Sequence, residues 1–196
     1  MQDIIKTIFT ESIQAQIAAA EVLSDALESG ALAIAQTLLN GNKLLCCGAA
    51  SSDMLAQHFA GLLVNFFETE RPCLPAIALS NEQRQLSYAS ASEELDIIAR
   101  QVRAFGQSGD MLLAISIDGY EKSVVSAVEA ALTKDMKIIA LVGDDGGELT
   151  GLLGPHDVEI RVPSKRPARI IEAHLFNLHC LGQLIDATLF PQEDLA

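Results

Sequence analysis

The chain has 196 residues, 49% of them hydrophobic and 20% charged, which is enough for one large core and too little for two ordinary domains. Its 26 acidic and 13 basic residues give a formal charge of −13, so phosphate backbones and anionic lipids repel it. No apolar stretch reaches the roughly 18 residues of a spanning helix, and the N-terminus lacks the basic flank of a signal peptide. We therefore expect a cytoplasmic protein that binds neither nucleic acid directly nor a membrane.

The predicted elements begin with helices and continue with alternating strands and helices. Apolar residues recur at helical spacing from Ile4 to Ala20 and again from Ala31 to Leu39. Five short apolar runs follow, at 43–47, 75–79, 111–115, 137–142 and 158–162. Helical patterns lie between them at 53–66, about 93–105 and 119–133, and a last helix spans about 166–189. Runs that are apolar on both faces and alternate with helices indicate a parallel sheet covered on two sides.

The four cysteines lie at positions 46, 47, 73 and 180, in apolar surroundings. No CxxC or CxxH pair occurs among them, so the spacing does not indicate a zinc site. We expect buried thiols rather than a disulfide framework.

Two strand-to-helix junctions are candidates for ligand binding. They read Cys-Gly-Ala-Ala-Ser-Ser-Asp at 47–53 and Ile-Ser-Ile-Asp-Gly-Tyr-Glu at 115–121. In open parallel sheets, ligands bind beyond the carboxyl ends of strands, where the next helix presents free N–H groups. Small and hydroxyl residues in such a turn can hold a phosphate, although their composition also fits an ordinary helix N-cap.

Longer segments along nearly the whole chain carry a family resemblance. They are LLCCG…AQHFA at 44–60, ETERPCLPAIAL at 68–79, GDMLLAIS at 109–116, DGGELTGLLGPHDVEIRVPS at 145–164 and RI-x-E-x-H at 169–174. On these segments the sequence resembles the sugar-isomerase (SIS) domain family, and within it the phosphoheptose isomerases. The resemblance implies an α/β fold, a flavodoxin-like three-layer sandwich with a five-stranded parallel sheet, assembled as a homotetramer.

The tail LIDATLFPQEDLA at 184–196 is similar to a non-enzymatic branch of the family. Members of that branch associate with the bacterial replication initiator DnaA, so the resemblance implies DnaA as the partner. We expect residues 1–196 to form a single SIS domain, with the helical segment 1–40 at the oligomer interface.

The pocket loops depart from the pattern of the isomerases. The enzymes carry Gly-Asn-Gly-Gly-Ser after the first strand, whereas residues 48–52 read Gly-Ala-Ala-Ser-Ser, with Ser51 and Ser52 at the end. Their phosphate loop reads Ser-Thr-Ser-Gly-Asn-Ser, whereas residues 116–121 read Ser-Ile-Asp-Gly-Tyr-Glu, which keeps Ser116. The resemblance therefore implies a degenerate sugar-phosphate pocket.

Two acidic residues replace hydroxyl groups in the second loop. Asp118 and Glu121 have the D-x-x-E spacing of a capping box, so the helix is predicted to supply its own anion. A pair of like charges about 4 Å apart costs roughly 4 kcal/mol at an effective dielectric of 20, which opposes phosphate binding. The alternative is that Asp118 faces solvent while backbone amides still bind phosphate.

The catalytic positions of the family are half retained. The enzymes place His and Glu four residues apart on one helix, and Gln and His eight apart on the last helix. Here His58 and His179 match, but the other two positions hold Leu62 and Ile171, so we predict no catalytic residue. Two imidazoles make a weak metal site, and neither a metal nor another cofactor is expected. We expect these histidines to be core or interface residues bonded to backbone, with a retained ligand or catalytic role as the alternative.

Two residues of the tail are candidates for assembly and partner binding. Leu189 suits a subunit interface, and Phe190, followed by the helix-ending Pro191, suits an aromatic anchor for a partner. The alternative is that both pack onto their own subunit. Two functions remain open: a non-enzymatic tetrameric adaptor for the initiator, and a divergent sedoheptulose 7-phosphate isomerase or sugar-phosphate-binding protein.

Overall fold

The computed structural model describes residues 1–80 and 97–191, which form six helices and five strands. The helices are α1 (Gln2–Leu39), α2 (Ser51–Val64), α3 (Ile97–Phe105), α4 (Lys122–Leu132), α5 (Gly147–Leu152) and α6 (Pro167–Leu189). The strands are β1 (Leu44–Gly48), β2 (Ala76–Ala78), β3 (Met111–Ile115), β4 (Lys137–Gly143) and β5 (Val158–Val162). Every predicted strand is confirmed to within about one residue at each end. Residues 93–96 of the predicted third helix lie outside the described residues.

The five strands form one parallel sheet in the order β2-β1-β3-β4-β5. This is the flavodoxin-like order, in which the direction of chain progression reverses between β1 and β3. The crevice of such a sheet lies at the carboxyl ends of those two strands. The predicted fold class is confirmed, and both candidate loops follow the strands that flank the reversal.

The sheet is buried on both faces by two separate apolar clusters. Alternate residues of β1 belong to different clusters, Leu44 and Cys46 to one and Leu45 and Cys47 to the other. Helices α1, α2 and α6 cover the first face, and α3, α4 and α5 cover the second. This arrangement explains why the strands read as continuous apolar runs rather than as alternating patterns.

Helix α1 is a single element of 38 residues, so the prediction of separate N-terminal helices is wrong. The segment between the two periodic runs contains no proline and consists mostly of helix-forming residues, which lets the helix continue. Gly30 is buried in the interior of α1, and the space around it would accept a Cβ in ordinary van der Waals contact. A Cβ built on Gly30 would lie 3.5 Å from the Cδ2 atom of Leu181.

The first half of α1 leaves a broad apolar face in contact with solvent in the single chain. Its tip is tied to α6 by polar contacts, with Ser12 Oγ donating to Glu172 Oε2 at 2.7 Å and Arg169 Nη1 donating to the Ile8 carbonyl at 2.9 Å. The large side chains on its other sides are 45% to 66% exposed, and they are Ile4, Ile5, Ile8, Phe9, Ile13 and Ile17. Together these side chains form one contiguous apolar patch, whereas a soluble monomer usually exposes such side chains singly.

The cysteine prediction is only half right. Cys46 and Cys47 are buried in β1, but Cys73 is exposed in the segment between α2 and β2, and Cys180 is half-buried on α6. All four thiols are unpaired. In the described ranges, no helix combines the length and the apolar character that crossing a membrane requires.

His174 on α6 is a fully buried titratable group. Burial lowers its pKa to about 4, because the imidazolium is poorly solvated, and a contact with the Val142 backbone opposes the shift only in part. The unfolded imidazole titrates near 6.5. Between these values the unfolded chain binds more protons than the folded chain.

Lowering the pH from about 6.5 to about 4 is therefore expected to destabilise the fold through His174, by up to about 3 kcal/mol. Denaturant unfolding of the wild type and His174→Phe across this window measures the effect. The variant is expected to lose less stability than the wild type on acidification, whereas the exposed control His156→Gln behaves like the wild type. Equal acid sensitivity in the wild type and His174→Phe would contradict the assignment.

Candidate functional site

The β1–α2 loop keeps the close turn of a ligand-binding junction. A Cβ at Gly48 would meet the Ser52 carbonyl at 2.4 Å, so the turn requires glycine there. Ala50 has φ 50° and ψ −119°, a conformation that suits glycine, and it stands where the isomerase pattern has glycine. The Ser52 side chain is buried and its Oγ has no hydrogen-bond partner among the described residues, whereas Ser51 is half-buried.

The β3–α4 loop holds a carboxylate of the chain itself. The buried Ser116 donates its hydroxyl to Glu121 Oε2, and the Ile117 N–H donates to Glu121 Oε1 at 3.3 Å. The Gly119 N–H donates to Ser116 Oγ at 2.7 Å. The hydroxyl and one amide that would face an anion in this loop are therefore bonded to Glu121.

The predicted capping box does not form. Helix α4 begins at Lys122, later than the sequence pattern indicated, and Glu121 is its N-cap residue without a side-chain cap bond. Asp118 is exposed and accepts a hydrogen bond from the Tyr120 N–H at 3.0 Å within the turn. Of the two carboxylates that were predicted to occupy the phosphate loop, only Glu121 lies there. Asp118 faces solvent, as the alternative prediction stated.

Gly119 explains why the loop turns back on itself. Its φ is +80°, and a Cβ at this position would overlap the Gly146 carbonyl in the loop after β4. Gly119 therefore lets the two loops approach closely and brings Ser116 and Glu121 together.

His58 and His179 bond to each other rather than to backbone. Their Nε2 atoms are 2.9 Å apart, the rings meet edge to face, and the His179 ring lies 4.9 Å from the Phe67 ring, centre to centre. His58 is exposed and His179 half-buried in the single chain, so the expectation of core histidines bonded to backbone is wrong, and their position at an interface stays a prediction. The pKa of His58 is lowered, first by partial burial and second by the neighbouring His179.

The remaining two catalytic positions of the family are apolar and structural. Leu62 and Ile171 are partly buried and pack against the core cluster beneath α2 and α6. Glu68 lies beyond the end of α2 and accepts a hydrogen bond from Gln183 Nε2 at 3.0 Å. Over residues 1–80 and 97–191, no group of three or more His, Cys, Asp or Glu side chains is arranged to hold a metal ion.

The hydrogen bonds of the described residues divide the predicted pocket into two separate groups. One is Ser116 with Glu121, and the other is His58 with His179. An acid–base pair that flanks a substrate carbon needs two proton-transfer groups on opposite sides. These two imidazoles share one hydrogen bond instead.

Leu189 and Phe190 lie at the junction of helix and tail. Leu189 is the last residue of α6, and Phe190 follows it with φ −133° and ψ 60°, so the two side chains do not both follow helical spacing. Both are half-buried and pack against the core cluster of their own chain. Phe190 also lines an open cleft of about 510 Å³ together with Phe67 and Asp186.

This cleft was not predicted from the sequence. Arg71 builds it by joining the end of α2 to Asp186 on α6, across 115 positions of sequence. The only local signal was the run ETERP at 68–72, in which one arginine stands between two glutamates and a proline.

Comparisons with known proteins agree with the fold and with the resemblance. The chain is 58% identical over 197 residues to the "DnaA initiator-associating protein DiaA" of Escherichia coli O1:K1, with 100% of both chains covered. The solved phosphoheptose isomerase from Francisella tularensis has a TM-score of 0.89 and 42% identity, and the match covers 94% of this chain and 97% of that one. Phosphoheptose isomerase GmhA from Neisseria gonorrhoeae has a TM-score of 0.88 and 35% identity, with 95% and 98% covered.

The family follows from the same comparisons. A model described as the SIS domain matches residues 8–143, well over half of the sequence. Together with the full-length relative and the parallel sheet, this match confirms the resemblance inferred from the motifs: the chain belongs to the SIS domain family.

Proposed function

We propose that the chain is a non-enzymatic adaptor that binds the replication initiator DnaA in the cytoplasm, promotes its assembly at the chromosomal origin and so controls timely initiation. The observation that carries the proposal is the 58% identity, over the full length of both chains, to a protein named for its association with that initiator. The side chains of the predicted sugar-phosphate pocket support the proposal. A carboxylate lies in the phosphate loop, and two of the four family catalytic positions are apolar.

A divergent isomerase or sugar-phosphate-binding protein is the second candidate. The 42% identity to a solved phosphoheptose isomerase favours it, as does the retained pair of His58 and His179. The chemistry of the site opposes it, because Leu62 replaces the carboxylate that would exchange a proton and Ile171 replaces an amide that would donate hydrogen bonds. Glu121 also places negative charge where the phosphate of a substrate would bind.

Oligomerisation is the second part of the proposal. The first half of α1 exposes an apolar face that is expected to be buried by another molecule. The same apolar face of a second copy of the chain can pack against it. We place residues 1–40 at this interface, in a homotetramer built from single domains of residues 1–196. A tetramer presents several initiator sites at once and raises the local concentration of initiator.

The tail supplies the proposed contacts to a second subunit and to the initiator. Leu189 ends α6 and is only half-buried in its own chain, so a neighbouring subunit can cover the rest. Phe190 is half-buried against the core but keeps one side in the cleft, which is the geometry of an aromatic anchor. The charge of −13 supports protein rather than direct nucleic-acid binding and steers a basic partner to the surface.

Replacing Phe9 and Ile13 by Ser is expected to dissociate the oligomer. Each buried large apolar side chain contributes about 1.5–3 kcal/mol, so the double variant weakens association by at least about a hundredfold. Sedimentation velocity at micromolar concentration measures it, with Phe105→Ser, an exposed aromatic on α3, as the control that stays assembled. A wild type that sediments as a monomer would contradict the proposal.

Replacing Leu189 and Phe190 by Ala one at a time is expected to separate assembly from capture of the initiator. Leu189→Ala should weaken the oligomer, because truncation in a packed interface costs roughly 2 to 5 kcal/mol. Phe190→Ala should keep the oligomer and weaken binding to immobilised DnaA by about 2 kcal/mol or more. Phe105→Ala is the control, and melting temperatures show that each variant is folded. Normal initiator binding by an assembled Phe190→Ala would place the partner surface elsewhere.

Replacing Glu121 by Ser is expected to create an anion site in the β3–α4 loop. The change releases Ser116 Oγ and the Ile117 N–H and removes a repulsion of roughly 4 kcal/mol, so affinity for inorganic phosphate should rise at least about tenfold. Calorimetry on the wild type, Glu121→Ser and the exposed control Glu129→Ser measures this. Conversion of sedoheptulose 7-phosphate should stay at background in all three. Turnover by the wild type at enzymatic rates would favour the isomerase instead.

A further inference from the structure

The cleft beside Phe190 has a fixed floor and an open mouth. Its floor is Arg71, whose side chain is 5% exposed and donates to the carbonyls of Leu62 at 2.9 Å and Leu63 at 2.7 Å. These carbonyls belong to the end of α2, where helical partners run out. The same guanidinium donates through Nε to Asp186 Oδ1 at 2.8 Å. The guanidinium of Arg71 is thus bonded to backbone carbonyls and to Asp186 within the fold.

The net charge of the cleft is negative. Among the described residues that line it, Glu68, Glu70 and Asp186 are acidic and Arg71 alone is basic, which leaves a charge of −2. Asp186 is neutralised by Arg71, and Glu68 accepts a hydrogen bond from the uncharged Gln183. Glu70 is exposed at the rim. The cleft also lies at the end of α6, whose last turn carries no basic residue to offset its carbonyls.

The walls of the cleft are apolar and aromatic. Phe67 and Phe190 line it together with Ala187 and Pro191. Aromatic faces attract a cationic side chain, and the methylene stem of arginine or lysine packs well on such a surface. A space of about 510 Å³ is large enough for one or two side chains of a partner.

We propose that this cleft is the docking site for a basic side chain of the initiator, with its stem against Phe190 and Phe67 and its charged head towards Glu68 and Glu70. This inference rests on the proposed function and specifies its chemistry. Charge complementarity selects the occupant, because the cleft is acidic and a second copy of a chain with net charge −13 would bring further negative charge to it. Phe190 then serves as a wall of the docking site.

The test compares initiator binding by matched charge variants at two salt concentrations. Glu68→Gln/Glu70→Gln removes two charges from the cleft and preserves side-chain shape. Glu129→Gln/Asp135→Asn removes two exposed charges on and just after α4 and serves as the control. Binding of purified DnaA to the assembled chain is measured by biolayer interferometry at low and at physiological salt, and sedimentation shows that both variants remain oligomeric.

The cleft variant is expected to bind DnaA at least tenfold more weakly at low salt and to lose most of the salt dependence, whereas the control retains both. Glu70→Lys should weaken binding further, and Phe190→Ala should weaken it at both salt concentrations while keeping the salt dependence. Wild-type affinity and salt dependence in the cleft variant, with Phe190→Ala impaired, would overturn the basic docking site and leave the adaptor function standing. A wild type that fails to bind DnaA at all would overturn both.

Discussion

Burial of the parallel sheet on both faces is the constraint on which the other features depend. Because β1 and β3 are wholly buried, helices must cover each face, and the first face takes α1, α2 and α6 together. Helix α1, with 38 residues, is longer than the strands that it covers, so its first half extends beyond the core. The apolar face of that half is therefore exposed in the single chain. Helix α6 carries His179, which pairs with His58 of α2, and the tail follows the end of α6. The proposed oligomer and partner surfaces are thus consequences of how the sheet is covered.

The site shows how a fold can be retained while its chemistry changes. The reversal of strand order still brings two loops to the carboxyl edge of the sheet, and Ala50 still adopts a glycine-like conformation in the first of them. In the second loop, Glu121 bonds the donors that an anionic ligand would use. The proposed loss of substrate binding and proton transfer therefore needs only a few changed side chains and no rearrangement of the scaffold.

The features that were predicted best from the sequence are those set by the burial of apolar side chains. All five strands followed from runs that are apolar on both faces, and the pocket loops followed from the strands that precede them. The capping box was predicted because Asp118 and Glu121 have the right spacing. The prediction is wrong because Gly119 turns the loop so that Glu121 reaches back to Ser116. The cleft could not be predicted, since the Arg71–Asp186 contact joins residues 115 positions apart and has no local pattern.

The stoichiometry of the complex with the initiator tests the central claim most directly, because an adaptor acts by holding several initiators together. Sedimentation velocity of the purified chain with an excess of DnaA gives the mass of the complex. We expect a tetramer of the chain that carries more than one initiator. A complex of one chain with one initiator, or no complex under conditions where the chain is folded, would contradict it.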